Sequence, residues 1–199
     1  IEDFKGYKFK NVCYHGIEEK DWSKYKELAE SSPNTKGAKH WQTEFIMKES
    51  IQDALKIHHL KDNDIVFVGD CDEIWEPSLS LAHNKGVVKL KLRVYTYYLN
   101  NRSSELFWGT IKADYKSIKD KCLNHLRSTE YYRGTGRECG WHFTSMYHQL
   151  ERKLKDSYTE EDYASATVLV GLQENIKNNK DFLGRDFTYT VDESQWPKW

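Results

Sequence analysis

Two aspartates separated by one residue, Asp70 and Asp72, offer a pair of carboxylates that can both face a hard divalent cation. They follow the apolar run Ile65–Val68, whose β-branched and aromatic residues predict a strand buried on both faces, as in a parallel sheet. Glu73 adds a third acid, and such a cluster of like charges is costly without a cation or hydrogen bonds. The stretch therefore predicts a metal and phosphate site, and a strand-end turn rich in aspartate is the structural alternative.

Two later stretches place an aromatic ring beside a small or titratable residue. Trp141 and His142 follow Gly140, and Trp108 precedes Gly109. An imidazole can complete a metal site, and flat ring faces suit sugars or bases. Because Trp and His are also ordinary core residues, a purely structural role is the alternative for both stretches.

The composition limits the classes of function. The chain has 199 residues, and we expect residues 1–199 to form a single domain. With 30 Lys and Arg against 31 Asp and Glu, no strong field favours nucleic acid or an anionic membrane. The sequence shows no apolar run long enough for a transmembrane helix. The four cysteines form no CxxC pair, which argues against a zinc site and predicts free thiols.

Several elements must position these residues. Helical spacing of apolar residues predicts a helix over 41–60, directly before the buried strand. Alternating apolar and basic residues predict a strand over 87–98, and a second strand over 106–111 is interrupted by Gly109. The remaining predictions are an extended piece at 10–14, a short helix at 80–83, a loop at 100–104, a flexible segment at 131–142, helices over 147–158 and 163–178, and a tail at 188–199. We expect an α/β fold with a mostly parallel central sheet flanked by helices.

The same runs occur together, in the same order, in one known family. They are Trp41-Gln-Thr-Glu44, the run DIVFVGDCDEI at 64–74, Trp108-Gly-Thr110, Gly140-Trp-His-Phe143 and Lys153. Over residues 38–163 this pattern resembles glycosyltransferase family 17, which includes the enzyme that adds bisecting N-acetylglucosamine to N-glycans. The DxDEI run joined to a downstream GWHF is the specific part. The proline that directly follows DEI in the family comes two residues later here, as Pro77.

The resemblance implies a fold and a reaction. The fold is a GT-A-type nucleotide-sugar fold with its catalytic core over about residues 38–163, and we expect its first strand-helix-strand unit to be missing from this chain. The reaction is an inverting transfer of a hexosamine, N-acetylglucosamine, from a UDP-sugar donor to a glycan acceptor. The cofactor is a divalent metal, Mn²⁺.

The resemblance also implies roles for individual residues. Asp70, Asp72 and His142 would hold the metal. Donor binding would involve Asp70, Asp72, Trp108, Gly109, Trp141 and Lys153, and acceptor binding would involve Glu44 and Trp75. Further basic residues that could assist with phosphate are Lys119, Lys121, Arg133 and Arg137.

An inverting transfer also needs a carboxylate that takes the proton of the acceptor hydroxyl. We expect Glu138 in this role, with Glu44 or Glu161 as alternatives. Glu73 would lie near the sugar and is the second catalytic candidate.

Two other functions are compatible with the motif. A haloacid dehalogenase-type phosphotransferase also carries a DxD after an apolar strand, but it has Thr or Val where this chain has Ile74. A sugar-binding or structural remnant of the glycosyltransferase fold is the other alternative. With no anchor and no paired cysteines, we expect a cytoplasmic bacterial or viral protein rather than one of the Golgi lumen.

Overall fold

The computed structural model of the chain describes residues 16, 19–33, 35, 39–81, 85–129, 134–157 and 166–193. Within these ranges the structure is mixed α/β. The helices are α1 (Glu19–Ser31), α2 (Lys39–Glu49), α3 (Ile51–Ile57), α4 (Tyr115–Ile118), α5 (Leu123–Ser128), α6 (Tyr147–Ser157) and α7 (Ala166–Lys177), with a 3-10 helix at Pro77–Leu81. The strands are β1 (Ile65–Val68), β2 (Glu73–Trp75), β3 (Val87–Tyr97), β4 (Asn101–Phe107), β5 (Ile111–Asp114), β6 (Gly134–Met146) and β7 (Tyr189–Val191).

The described strands form one sheet built around β3. On one side, β3 pairs with β4 and β5, which are separated by a break at residues 108–110. On its other side β3 pairs with β6, and β6 pairs with β2. The outer strands are β1 beside β5 and β7 beside β4. Among these six pairs only β3 with β6 is parallel.

The prediction of an α/β fold is confirmed, but the prediction of a mostly parallel sheet is wrong. The error came from β1, whose apolar run we took as the mark of a parallel strand. Val66 and Val68 pack against α4 and α5 on one face. Phe67 packs beside Trp75 and Leu79 on the opposite face. Burial on both faces explains the run without parallel pairing, because β5 lies antiparallel to β1.

The sheet curls so that β1 and β2 come together. Three strands lie between them in the sheet, which in a flat sheet would separate them by about 19 Å at roughly 4.8 Å per strand. They are joined by only the turn at residues 69–72, and this turn is tight because the Glu73 amide donates to the Asp70 carbonyl oxygen at 3.0 Å. Accordingly, Phe67 on β1 stacks on Trp75 on β2, with ring centres 4.7 Å apart. The curl brings the acidic turn to the concave side of the fold.

The helix predicted over 41–60 is present as two helices, α2 and α3. The break falls at Ser50, whose hydroxyl donates to the Met47 carbonyl oxygen at 2.8 Å. Phe45 and Ile46 of α2 pack against Tyr25 and Ala29 of α1. This contact fixes α2 against α1, and Lys48 of α2 reaches the turn at 69–72, where its Nζ is 3.7 Å from Asp70 Oδ2.

The strand predicted over 87–98 is confirmed as β3, and the helix predicted from Tyr147 is confirmed as α6. The loop predicted at 100–104 is wrong, because β4 begins at Asn101. The flexible segment predicted at 131–142 is also wrong from residue 134 onward, where β6 begins. Both strands pair on two sides, and these long-range hydrogen bonds outweigh their polar and glycine-rich composition.

Some predictions fall on other parts of the chain. The extended piece at 10–14 and the tail beyond residue 193 lie outside the described residues, and so does part of the short helix predicted at 80–83. The second predicted helix contains α7, and part of the predicted tail forms β7. Within the described ranges no helix has the length and apolar character needed to span a bilayer.

Candidate active site

An open cleft of about 1280 Å³ lies at the curled edge of the sheet. The helices that line it are α2, α5 and α6. The rest of the lining includes β6, the turn at 69–72 and the break between β4 and β5. A cleft of this size can hold more than one small substrate, because typical ligand pockets measure roughly 300–1,000 Å³.

Backbone contacts hold the turn at 69–72 in place. The Phe143 amide of β6 donates to the Asp72 carbonyl oxygen at 2.9 Å. A Cβ at Gly69 would lie 2.7 Å from Glu73 Oε2, so the absence of a side chain there makes room for that carboxylate. The turn is therefore anchored to β6, and Gly69 leaves space for the Glu73 side chain next to it.

Arg127 on α5 is the centre of the charged groups under the turn. It donates from Nη1 to Asp70 Oδ1 at 2.9 Å and from Nη2 to Glu73 Oε1 at 2.7 Å. Its Nε donates to the Gly109 carbonyl oxygen at 2.9 Å. The guanidinium is buried, so these charge-assisted hydrogen bonds are little screened by solvent. One side chain thus joins α5, the β4–β5 break and the acidic turn.

Glu73 is an enclosed carboxylate with two donors. Its side chain is 0% exposed, and the Thr110 hydroxyl donates to Oε2 while Arg127 donates to Oε1. Burial raises the pKa of Glu73 to about 7, with the nearby Asp70 carboxylate adding to the effect and Arg127 opposing it. Glu73 can therefore hold a proton near neutral pH beneath the turn.

Asp70 is half-exposed and lies between two cations. Lys48 Nζ on α2 is 3.7 Å from Asp70 Oδ2 and also donates to Glu44. Partial burial works against the ionised form, but the hydrogen bond from Arg127 and the charge of Lys48 leave the pKa of Asp70 below its usual value. Asp70 is thus ionised across the neutral range.

Asp72 and His142 lie next to each other on the cleft lining. Asp72 Oδ2 is 3.8 Å from His142 Nε2, and one ligand atom from each of Asp72, Glu73 and His142 lies within 4.8 Å of the others. His142 Nδ1 is buried and has no hydrogen-bond partner among the described residues. Burial lowers the pKa of His142 despite the charges of Asp72 and Asp70, which favours the neutral imidazole that binds metals. The Asp72 carboxylate and the Nε2 atom of a neutral imidazole are ligand types that fit a divalent cation.

The structure brings most of the predicted site residues to this one cleft. Those that line it are Glu44, Asp70, Asp72, Trp108, Gly109, His142 and Lys153. They come from separated parts of the chain, and their individual roles stay predictions. Glu73 lies directly beneath the lining.

Three predicted site residues do not line the cleft as the described residues outline it. Trp75 stacks on Phe67, and Trp141 is buried with the Arg93 guanidinium 4.6 Å from its ring centre. Arg102 donates two hydrogen bonds of 2.9 Å to the Glu138 carboxylate. Among the other candidates, Lys119 pairs with Asp62 and Arg137 pairs with Glu76, whereas Arg133 and Glu161 lie outside the described residues.

Three cations of the site were not found from the sequence: Lys48, Lys89 and Arg127. Arg127 contacts residues 57 and 54 positions earlier in the chain, and a local pattern cannot show such pairing. One signal was available, because Leu123 and Leu126 recur at helical spacing and Arg127 follows them directly. A charged residue that lies beside the apolar face of a helix needs a partner when it is buried.

Comparison with known proteins identifies the family of the chain. No curated protein and no solved structure matches the chain. The family model of glycosyltransferase family 17 matches residues 8–191, a range that includes the whole cleft and every described strand. The chain therefore belongs to glycosyltransferase family 17 and is a glycosyltransferase.

Proposed function

We propose that this glycosyltransferase is a Mn²⁺-dependent inverting enzyme that moves a hexosamine, N-acetylglucosamine, from a UDP-sugar to a glycan acceptor on a GT-A-like framework. One observation carries the proposal. Asp72 of the acidic turn and His142 lie next to each other in a cleft that four cationic side chains also line. This combination suits a diphosphate leaving group and the cation that accompanies it.

Asp72 and His142, together with Asp70, are the residues that we propose to hold the metal. Asp72 and His142 support this role because Asp72 Oδ2 is 3.8 Å from His142 Nε2, and Asp70 supports it by a half-exposed carboxylate two residues before Asp72. A bound divalent cation would offset the negative charge that develops on the departing diphosphate. The remaining contributions come from the chain's own side chains.

The cations of the cleft support direct binding of the donor diphosphate. Lys48, Lys89, Arg127 and Lys153 all line it. Arg127 is engaged with Asp70 and Glu73, so we assign it to holding the turn rather than to the substrate. The charge of Lys153 on α6 contributes to the lowered pKa of His142, so Lys153 lies near this residue. This is consistent with a place beside the metal and the phosphates. Trp108 is 37% exposed and offers a ring face for the donor sugar.

Glu44 is the carboxylate that the geometry favours as the base. It lines the cleft from α2 and is held by Lys48, one helical turn away. Glu138 is occupied by Arg102 away from the lining, and Glu73 is enclosed by Arg127 and Thr110. Glu44 would take the proton of the acceptor hydroxyl as it attacks the anomeric carbon, which also fits its predicted contact with the acceptor.

The test is transfer of N-acetylglucosamine from its UDP donor to oligosaccharides, measured with Mn²⁺ and with a chelator. We expect Asp72→Ala to lower the rate at least about 100-fold, because the charge on the leaving group loses its stabilisation. Asp62→Ala is a matched control, since Asp62 is an exposed acid that pairs with Lys119 outside the cleft. Full activity of Asp72→Ala, or equal rates with Mn²⁺ and chelator, would contradict the proposal.

A further inference from the structure

We propose that Trp41 on α2 is an acceptor platform, a ring face on which the pyranose ring of the glycan acceptor stacks beside Glu44. This inference rests on the proposed function and names a residue for its acceptor half. Trp41 has no role in the assignments above, although it lines the same cleft.

Three side chains on one face of α2 line the cleft. Trp41, Glu44 and Lys48 follow one another at intervals of three and four residues, which places them on the same side of a helix. At 1.5 Å per residue, Glu44 lies about 6 Å along the helix axis from Lys48, and Trp41 lies about 4.5 Å further on. The three side chains therefore form a line along the cleft wall.

The Lys48 end of this line belongs to the donor. Lys48 Nζ is 3.7 Å from Asp70 Oδ2, next to the turn that carries the proposed metal and diphosphate site. Glu44, in the middle, holds the carboxylate proposed to take the proton of the attacking hydroxyl. An inverting displacement places the leaving group, the anomeric carbon and the attacking oxygen in line. Trp41 therefore stands on the side from which the acceptor arrives.

The chemistry around Trp41 fits a sugar ring better than a phosphate. Trp41 is only partly buried and lines the cleft. An aromatic ring face suits the C–H face of a pyranose, while the hydroxyls of the sugar stay in water. The Asp70 carboxylate lies beside Lys48, at the opposite end of the line of three side chains.

The experiment separates transfer to a sugar from transfer to water. The full chain is incubated with Mn²⁺ and UDP-N-acetylglucosamine, alone and with a panel of mannose- or N-acetylglucosamine-terminated oligosaccharides. For Trp41→Ala we expect KM for the oligosaccharide to rise roughly 10-fold, the loss expected for one stacked ring. Hydrolysis of the donor in water, and KM for the donor, should stay within about twofold of the unmodified chain.

Two further variants test whether the ring itself matters. Trp41→Phe keeps an aromatic face and should retain most of the affinity for the acceptor. Trp22→Ala removes another partly exposed tryptophan, on α1 and away from the cleft lining, and should change neither reaction. Thermal unfolding of all variants shows whether they are folded.

Other results would contradict either the role of Trp41 or the proposed function. An unchanged acceptor KM in folded Trp41→Ala, or a Trp41→Phe variant as impaired as Trp41→Ala, would overturn the platform. Parallel loss of donor hydrolysis would overturn it too, because Trp41 would then serve the donor. If the unmodified chain hydrolyses the donor but glycosylates no oligosaccharide of the panel, the acceptor class falls while the donor half of the proposed function stands. Failure to use the donor at all would refute the proposed function itself.

Discussion

Two clusters in this protein each pair an arginine with a buried carboxylate. They differ in the distance along the chain between their members and in the hydrogen bonding of the side chains next to them. In the Asp181 cluster (Asp181, Arg185 and Tyr189), one carboxylate is 0% exposed and accepts hydrogen bonds from Arg185, from the Leu183 amide and from the Tyr189 hydroxyl. In the Arg127 cluster (Arg127, Asp70 and Glu73), one guanidinium serves two carboxylates.

We interpret the Asp181 cluster as structural and propose a functional role for the Arg127 cluster. Among the described residues, the hydrogen-bond donors to the Asp181 carboxylate all lie within eight residues of it, so the cluster closes the short connection between α7 and β7. The Arg127 cluster joins parts of the chain more than fifty residues apart. Beside it, the Asp72 carboxylate lies 3.8 Å from His142 Nε2, and the buried Nδ1 atom of His142 has no hydrogen-bond partner among the described residues. A buried ion pair is weak evidence of function until the groups next to it are counted.

The largest expected effect comes from removing each arginine in turn. Arg127→Ala should lower the free energy of unfolding by about 3 kcal/mol, because the Glu73 carboxylate stays buried without its partner. It should also lower the transfer rate about 100-fold, since the acidic turn loses its anchor. Urea unfolding and the rate of transfer from the UDP-sugar measure the two effects.

Arg185→Ala is the matched variant for the Asp181 cluster. Arg185 is 47% exposed, and Asp181 keeps its backbone and tyrosine donors, so we expect a smaller loss of about 1–2 kcal/mol. Transfer activity should stay within about twofold. Loss of activity in Arg185→Ala, or full activity in Arg127→Ala, would erase the distinction between the clusters.

The second prediction concerns pH, to which the two clusters should respond in opposite directions. The folded-state pKa of Glu73, about 7, is above its ordinary value of 4.5, so the folded chain binds a proton that the unfolded chain has lost between these values. The stability from this group should therefore fall as pH rises from about 4.5 to 7, by about 3 kcal/mol. Glu73→Gln should remove this slope in urea unfolding with a chelator present.

Asp181 has the opposite sign. Its burial opposes ionisation, but the hydrogen bonds from Arg185 hold its pKa below the ordinary value of 3.8. Its contribution is therefore present above pH 3.8 and is lost as pH falls through the lowered pKa. The difference between the unmodified chain and Asp181→Asn should stay constant from about pH 5 to 8 and shrink only below about pH 4. A constant difference for Glu73→Gln over the same range would contradict the raised pKa of Glu73.

The smallest expected effect comes from one hydroxyl in each cluster. Thr110→Val removes the donor to Glu73, and Tyr189→Phe removes the donor to Asp181 at 3.1 Å. Each should cost about 1 kcal/mol of stability in urea unfolding. Thr110→Val should also move the pH dependence of Glu73 upward, because its hydroxyl favours the ionised form, whereas Tyr189→Phe should leave transfer activity unchanged. If Thr110→Val and Tyr189→Phe show the same dependence of stability on pH, the effect assigned to the Thr110 hydroxyl on the pKa of Glu73 is wrong.

The sequence predicted the parts of the site that local patterns describe. The apolar run before Asp70, the periodicity of α2 and the alternation in β3 each result from burial on a face of one element. They were sufficient to predict β1, β3 and the helices at α2, α3, α6 and α7, but not α1, α4 or α5, and the motifs around Asp72 and His142 identified the family. The charged residues of the site were predicted only in part. Arg127 was missed because the residues it pairs with are far away in the chain.

Sheet direction and glycine-rich strands were beyond local patterns for a physical reason. A run such as Ile65–Val68 has the same composition whether its neighbour is parallel or antiparallel, since both place it between two apolar layers. Gly140 suggested flexibility, yet a Cβ there would collide with the carbonyl oxygen of Ile74 on β2. The glycine lets two strands approach closely, and only the tertiary pairing reveals this need.

The turn at 69–72 is held at both of its ends by main-chain hydrogen bonds, from Glu73 to Asp70 and from Phe143 to Asp72. Such a turn has little conformational freedom to lose when a ligand arrives. Binding energy from the donor is then available for the reaction instead of for ordering the loop. It also means that the amides of Glu73 and Phe143 should exchange with solvent as slowly as the core of the sheet, with or without substrate.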